Sequence, residues 1–358
     1  QFGFVFFELT KIPLGFLFVV VSDLGLYGAI LAIIFSNVVR VIFLSIALRK
    51  HLYGEIKRQV ITFWFKMSWL PLYGAIPGFI ITLDVLIFSM MSNSLIGLAY
   101  WTAGITIAAF VAQSGSFSRA LYPKLIATRD KIFAEENLQR SLFFVIPTLA
   151  LSIVFAKPLL HIINPIYTDA VIIVYFLTLR VFVQFLINFS FNVVRAYDQV
   201  DVGLNTSFKQ YLKSKLFFIP TLTYILSSLY IGTLVLMLIF RPVDWTDIEL
   251  VQTWSMIFFG THAPFAIYGL ILIRKNYQIK LPLQNIVKYS LTAGMISLIL
   301  FYYAENYLTY HTSIWDFIPE VLPILVLTSL LYLGITYFID SPTRKFLKLV
   351  FSEIYPKK

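Results

Sequence analysis

Polar side chains recur at four-residue steps inside one long apolar stretch, at Arg180, Gln184, Asn188 and Asn192. Residues four apart lie on one face of an α-helix, so these side chains would form a stripe. Arg180 lies about ten residues into the stretch, which is about 15 Å at 1.5 Å per residue. A guanidinium binds phosphate through two parallel hydrogen bonds, and amides hydrogen-bond hydroxyl groups. The spacing predicts a wet cavity for phosphate or sugar groups, with hydrogen bonding between packed helices as the alternative.

Five further polar or charged residues lie inside apolar stretches. Arg40 has Asn37 one turn away. Either both residues line the same cavity, or Arg40 extends its guanidinium toward the end of its apolar stretch. Asp84 can titrate, pair with a cation or hold a neighbouring helix, so a coupling role and a structural role both stay open. Glu8 and Lys11 are three residues apart, which favours a local ion pair over a role in coupling. We therefore add Asn37 and Arg40 to the predicted cavity.

Catalytic and metal-binding patterns are absent from the sequence. It contains no cysteine, which excludes thiolate metal sites, disulfides and cysteine nucleophiles. Zinc-protease, phosphate-loop, serine-hydrolase and dinucleotide-binding motifs are also missing. The four histidines are isolated in the sequence, and we place each near the end of an apolar stretch or in a loop: His51, His161, His262 and His311. We predict no metal, no cofactor and no enzymatic activity.

Composition indicates which elements position these residues. Hydrophobic residues make up 59% of the 358 residues and charged residues 13%, whereas soluble chains average about 45–50% and about 25%. A soluble fold must cover itself with polar groups, so this composition predicts an integral membrane protein and excludes soluble enzymes. The net charge of +10 would suggest nucleic acid in a soluble protein. Here the charges lie between apolar stretches, and we expect no nucleic-acid partner.

Membrane-spanning helices need about 20 mostly apolar residues each. That window predicts about ten spans, at residues 3–22, 26–48, 69–91, 96–118, 139–160, 170–193, 216–240, 250–273, 286–304 and 318–339. The stretches are long and lack the strict alternation of barrel strands, so helices are favoured over a β-barrel.

Lysine and arginine residues mark the predicted orientation. Most of them lie in every second connection, in segments 49–58, 119–140, 195–215, 274–288 and 341–358. The connections at 92–95, 161–169 and 305–315 carry none. The basic segments are therefore predicted to be cytoplasmic. This places the multi-pass chain in the cell membrane with a cytoplasmic C-terminus.

Four stretches resemble the oligosaccharide and polysaccharide (O-antigen type) flippases of the multidrug/oligosaccharidyl-lipid/polysaccharide exporter superfamily. The first is similar to the sixth span of that family, the second to its seventh and eighth spans, the third to the proline-bearing segment that follows, and the fourth to the loop between its tenth and eleventh spans. They are LGLYGAILAIIFSNVVR at 24–40, PLYGAIPGFIITLDVLIFSMMSNSLIGLAYWTAG at 71–104, RALYPKLIA at 119–127 and VVRAYDQVDVGLNTSFKQYLKSKLFFIP at 193–220.

The resemblance implies an all-α fold of fourteen helices in two six-helix lobes with two additional helices. In that scheme this chain corresponds to spans five to fourteen, and a first residue other than Met agrees with an N-terminal truncation. Residues 1–48 would then be the last two helices of the first lobe, and 49–68 a cytoplasmic hinge with an amphipathic lead-in. Residues 69–273 would form the second lobe, and 274–358 two peripheral helices with a basic tail.

The implied function is translocation of a lipid-linked oligosaccharide, a polyprenyl-phosphate or pyrophosphate glycan, by alternating access. It would serve the assembly of cell-surface polysaccharide, with membrane lipid and glycan polymerases or transferases as partners. Two alternatives stay open at this point. One is a multidrug-type exporter of the same superfamily, which would be expected to rely more on carboxylates. The other is a polytopic membrane enzyme of glycan assembly, against which the short outer connections argue.

Overall fold

A computed structural model describes most of the chain, namely residues 2–49, 58–115, 118, 121–198, 208–311 and 313–354. Nearly all of these residues are helical, and no strand occurs among them. Helices satisfy every backbone hydrogen bond within one segment, which a chain in hydrocarbon requires. The prediction of an all-α fold is confirmed. The fold divides into two compact units, Gln1–Trp69 and Leu70–Lys358.

The first unit contains three described helices: α1 (Phe2–Gly15), continued by a π-helical turn (Phe16–Val21), then α2 (Gly25–Ala47) and α3 (Arg58–Met67). The chain reverses between α1 and α2 through two residues with positive φ, Asp23 at 51° and Gly25 at 50°. The two helices pack side by side, with the rings of Phe6 and Phe43 stacked at 3.9 Å. Residues 50–57 of the predicted hinge lie outside the described residues.

Twelve helices follow among the described residues of the second unit, with a 3₁₀ turn at Pro165–Ala170 before α9. Their bounds are α4 (Trp69–Ser92), α5 (Leu95–Ser114), α6 (Leu121–Thr128), α7 (Lys131–Val154), α8 (Ala156–Ile163), α9 (Val171–Ala196), α10 (Phe208–Leu212), α11 (Lys215–Ile239), α12 (Asp247–Tyr277), α13 (Leu283–Asn306), α14 (Ile314–Ile339) and α15 (Ser341–Ile354).

Within the described residues, nine helices are long and apolar enough to cross a membrane. They are α2, α4, α5, α7, α9, α11, α12, α13 and α14. The chain is thus a multi-pass membrane protein, as its composition predicts. The span predicted at 3–22 is not among the nine. There α1 runs for 14 residues and continues directly into the six-residue π-helical turn.

The helix at the span predicted at 139–160 has different bounds, Lys131–Val154. The helix begins at Lys131, eight residues before the predicted start. Asp130 caps it, because its Oδ1 accepts a hydrogen bond from the Ile132 amide at 2.9 Å. The helix ends at Val154, and α8 begins at Ala156 as a separate element. Pro158 fits near the start of α8, because a proline there leaves no helical hydrogen bond unmade. Much of the segment predicted as the loop 119–140 is therefore helical.

Helix α9 lies at the centre of the second unit and packs against α5, α7, α11 and α12. Two glycines allow the close approaches. At Gly104 of α5, an added Cβ would lie 2.8 Å from Leu177 Cδ1. At Gly269 of α12, it would lie 2.9 Å from Ser190 Cβ. Larger side chains would force the helices apart. On the other side of α7, α13 packs along it and α14 packs on α13.

Candidate substrate cavity

The polar stripe of α9 faces a cavity of about 320 Å³, whose other walls come from α4 and α11. Arg180, Gln184, Asn188 and Asn192 all line it. Glycines at positions 74 and 78 of α4 leave open space on the opposite side, since an added Cβ at Gly78 would meet nothing within 4 Å. The four-residue spacing thus places these side chains together on one surface. Whether that surface binds substrate stays a prediction.

Arg195 extends the stripe. The sequence predicts it in the basic segment 195–215 after the span at 170–193, whereas α9 continues to Ala196 and Arg195 lines the same cavity. Its Nε is buried without a hydrogen-bond partner among the described residues. Arg195 follows Asn192 by three residues, which is the helical repeat that could have identified it. The two arginines lie about 22 Å apart along the axis, at 1.5 Å per residue.

The amides between the arginines bond to each other. Gln184 Nε2 donates to Asn188 Oδ1 at 2.9 Å. This contact uses one donor of Gln184 and one acceptor of Asn188. It leaves the oxygen of Gln184 and the amide nitrogen of Asn188 without a partner among the described residues. The Gln184 oxygen and the Asn188 nitrogen thus remain free to bond hydroxyl groups.

The guanidinium of Arg180 is fixed by α12. It lies 3.9 Å from the ring centroid of Phe258, within the range of a cation–π contact. Its Nη2 is 3.4 Å from His262 Nε2. Its Nε is buried and has no hydrogen-bond partner in the described part of the chain. The side chain is held at the rim of the cavity with hydrogen-bonding capacity unused.

A chain of buried hydrogen bonds lies behind Arg180. Trp254 Nε1 donates to Tyr230 Oη at 2.8 Å, and Tyr230 Oη donates to Asp84 Oδ2 at 2.7 Å. The other carboxyl oxygen of Asp84 accepts from the Val85 amide at 2.7 Å. Asp84, Tyr230 and Trp254 are 5%, 0% and 0% exposed. These bonds join α4, α11 and α12 at one point.

Aromatic rings connect this chain of bonds to Arg180. The ring of Phe258, which contacts the guanidinium, stacks on Tyr230 with centroids 4.5 Å apart. Trp254 in turn stacks on Trp101 at 3.6 Å and on Phe88 at 4.4 Å. Among the described residues Arg180 and Asp84 form no direct ion pair. The carboxyl group is therefore engaged in holding helices together, and the arginine faces the cavity.

The expectation that each histidine lies near a span end or in a loop is wrong for His262. It lies midway along the 31-residue helix α12 and is 0% exposed. The sequence shows the four histidines as isolated residues. The partner of His262 is instead Arg180, 82 positions away. Tertiary packing supplies this partner, and no local pattern signals it.

The remaining predicted site residues lie in the first unit. Glu8 and Lys11 form an ion pair of 2.5 Å on an exposed part of α1. Asn37 is exposed, and its Nδ2 donates to the Ile33 carbonyl one turn earlier at 3.0 Å. Arg40 is half-buried. The structure thus brings Arg180, Gln184 and Asn188 into one cavity of the second unit, and describes Asn37 and Arg40 only within the first.

The charge of the α9 cavity is positive. Its described lining contains two arginines and three amides, and no carboxylate is among those residues. Such a surface complements a phosphate and the hydroxyl groups of a sugar.

Comparison with known proteins gives no match. No family model matches the chain, and neither a curated protein nor a solved structure was found to match it.

Proposed function

We propose that the protein is a flippase that moves a lipid-linked oligosaccharide across the membrane. The observation that carries this proposal is the α9 cavity, in which Arg180 and Arg195 stand at the two ends of a row of amides. The arginines would bind the phosphate or pyrophosphate. The amides of Gln184, Asn188 and Asn192 would replace water around the sugars.

The physical task explains this choice of side chains. An anionic, hydroxylated head group loses its hydration on entering a region of low dielectric, and that loss is costly unless protein groups replace the water. Arginine suits such a region because a guanidinium gives up its proton only in strongly basic solution. Its planar fork also grips phosphate in two places. The stripe supplies both functions without a carboxylate that would repel the phosphate.

The same lining argues against the multidrug-type alternative. A cation exporter needs negative groups facing its substrate, whereas the described lining of the cavity carries none. The nearest buried carboxyl group, Asp84, is engaged by Tyr230 and the Val85 amide. We further propose that the C-terminus is cytoplasmic, that the protein acts in the cell membrane, and that glycan polymerases or transferases use the delivered product.

The test compares Arg180→Ala and Arg180→Lys with the wild type in the native host, measuring delivery of labelled lipid-linked glycan to the outer face. Arg274→Ala, an exposed arginine of α12 outside the cavity, is the matched control. We expect Arg180→Ala to lose transport and Arg180→Lys to retain part of it, because lysine keeps the charge but loses the fork. Equal transport by Arg180→Ala and the control at equal expression would refute the role of Arg180.

A further inference from the structure

Two further cavities lie between α7, α13, α14 and α15, helices that contribute no residue to the α9 cavity. The first, which we call the polar cavity, measures about 390 Å³ and is lined by residues that include Arg140, Gln139, Ser341 and Lys345. The second, the apolar cavity, measures about 220 Å³ and lies among α7, α13 and α14. The first cavity has charged and polar residues in its lining, whereas the second is lined mostly by apolar residues, and both are bounded by α7 and α13.

The two cavities adjoin along the same helices. On α7, Phe143 lines the polar cavity and the next residue, Phe144, lines the apolar one. On α13, Tyr289 lines the polar cavity and Ala293, one turn further, lines the apolar one. Phe346 of the polar cavity contacts Phe144 edge to face, with ring centroids 6.1 Å apart. The polar cavity thus continues directly into apolar surroundings.

The apolar cavity lies beside a membrane-spanning helix, and the polar cavity lies past the end of that helix. The apolar cavity lies among the residues of α14, which belongs to the apolar span Trp315–Ile339. The polar cavity includes Ser341, two residues beyond the end of that span. The helix that begins there, α15, carries Arg344, Lys345 and Lys348 among apolar residues. Basic amphipathic helices of this kind lie in the membrane interface.

The polar cavity carries an excess of positive charge. Arg140 pairs with Glu136 at 2.9 Å, which neutralises one charge of the lining. Lys345 is exposed and has no ion-pair partner among the described residues. Arg344 donates to the carbonyls of Tyr337 and Phe338 and so ties α15 to the end of α14. An anion placed between Arg140 and Lys345 would be bound from two helices.

We infer that this pair of cavities is a binding site for an anionic phospholipid, with its phosphate head group between Arg140 and Lys345 and part of an acyl chain in the apolar cavity. The arrangement matches the two parts of such a molecule: positive charge at the interface and an apolar space one turn deeper. Anionic lipids are attracted to basic groups at the cytoplasmic membrane surface, where the sequence predicts α15 to lie. The inference does not rest on the proposed function.

Native mass spectrometry of the purified full chain tests the site, with phosphatidylglycerol and phosphatidylcholine as probes. We expect phosphatidylglycerol to bind at least about tenfold more tightly, because the lining keeps a net positive charge after Arg140 pairs with Glu136. Arg140→Ala combined with Lys345→Ala should abolish this preference. Arg274→Ala combined with Lys275→Ala removes two exposed cations elsewhere and should preserve it. Lys345→Glu alone alters an exposed side chain and should weaken phosphatidylglycerol binding without affecting folding.

The apolar cavity is tested separately. Ser329 lines it and is exposed at its edge, whereas the neighbouring Leu330 is exposed but does not line it. Ser329→Trp should obstruct the cavity and weaken phosphatidylglycerol binding, and Leu330→Trp should not. Equal binding of the two phospholipids, or an unchanged preference after loss of Arg140 and Lys345, would overturn the site. Equal binding by the two tryptophan variants, or full competition by inorganic phosphate, would overturn its lipid character.

Discussion

Tyr230 joins three helices through its hydroxyl group, and Tyr230→Phe removes only that group. The hydroxyl accepts from Trp254 Nε1 at 2.8 Å and donates to Asp84 Oδ2 at 2.7 Å. The substitution leaves an indole N–H and a carboxyl oxygen buried without this partner. It creates almost no cavity, so the effect reports on the hydrogen bonds alone.

The expected loss follows from the two bonds. Hydrogen bonds between membrane helices contribute about 0.6 kcal/mol on average and about 1.7 at most, and a bond to a charged group contributes about 1.5–3 kcal/mol. With the average value for the bond from Trp254, the sum predicts a destabilisation of about 2–4 kcal/mol. For a domain of this size, each kcal/mol lowers the melting temperature by about 2–4 °C, so we expect a decrease of roughly 5–15 °C.

The assay is thermal unfolding of the detergent-purified protein followed by fluorescence-detected gel filtration. Tyr268→Phe is the matched control, because Tyr268 lies on α12, is 41% exposed and has no hydrogen bond among the described residues. We expect the control to melt within about 2 °C of the wild type, as surface substitutions usually change stability by less than about 0.5 kcal/mol. Equal melting temperatures for Tyr230→Phe and Tyr268→Phe would refute the idea that this network holds the helices together.

Three further predictions concern orientation, a buried carboxylate and helix packing. Since the chain has no native cysteine, an impermeant thiol reagent should label Ser313→Cys from outside intact cells and Lys275→Cys only after permeabilisation; the reverse pattern would invert the topology. Burial alone would raise the pKa of Asp340, but hydrogen bonds from Thr343 and Tyr289 hold it below its ordinary value of 3.8. The contribution of ionised Asp340 to stability should therefore be complete above pH 3.8 and be lost as the pH falls through the pKa of Asp340 in the folded protein. The difference in melting temperature between wild type and Asp340→Asn should therefore shrink in acid, and a pH-independent difference would contradict this reasoning. Gly104→Leu should lower the melting temperature by several degrees, because a Cβ there would lie 2.8 Å from Leu177 Cδ1; an unchanged value would contradict the close packing of α5 and α9.

Features that depend on neighbours along the chain could be predicted from the sequence. Apolar length identifies most spans, because a membrane helix satisfies its own backbone and needs only a long run of apolar residues. The helical repeat places Arg180, Gln184 and Asn188 on one face before any tertiary contact is known. The bounds of α7 could have been better predicted, since Asp130 is a capping residue just before the helix.

Features that depend on distant residues could not be predicted in this way. His262 and Arg180 meet across 82 positions, and Tyr230 and Asp84 across 146. Nothing in the local sequence of either helix selects its partner. Arg195 was missed for a different reason. Its three-residue spacing from Asn192 fits the polar stripe, but a basic residue near the end of an apolar stretch fits a loop equally well. The observed length of α9 decides between the two.

The most direct test of the central claim is whether the glycan itself enters the α9 cavity. A photoreactive amino acid is placed at Asn188 in the cavity or, as a control, at Leu229, which lies on α11 and is 49% exposed. Cells are supplied with sugar-labelled lipid-linked oligosaccharide, irradiated, and the adducts are treated with mild acid to cleave the sugar–phosphate linkage. A probe that reacted with the glycan keeps the label, and one that reacted with the lipid tail loses it. The account predicts acid-resistant label at position 188 and none at 229; absence of label at 188, or equal acid-resistant label at both positions, would contradict it.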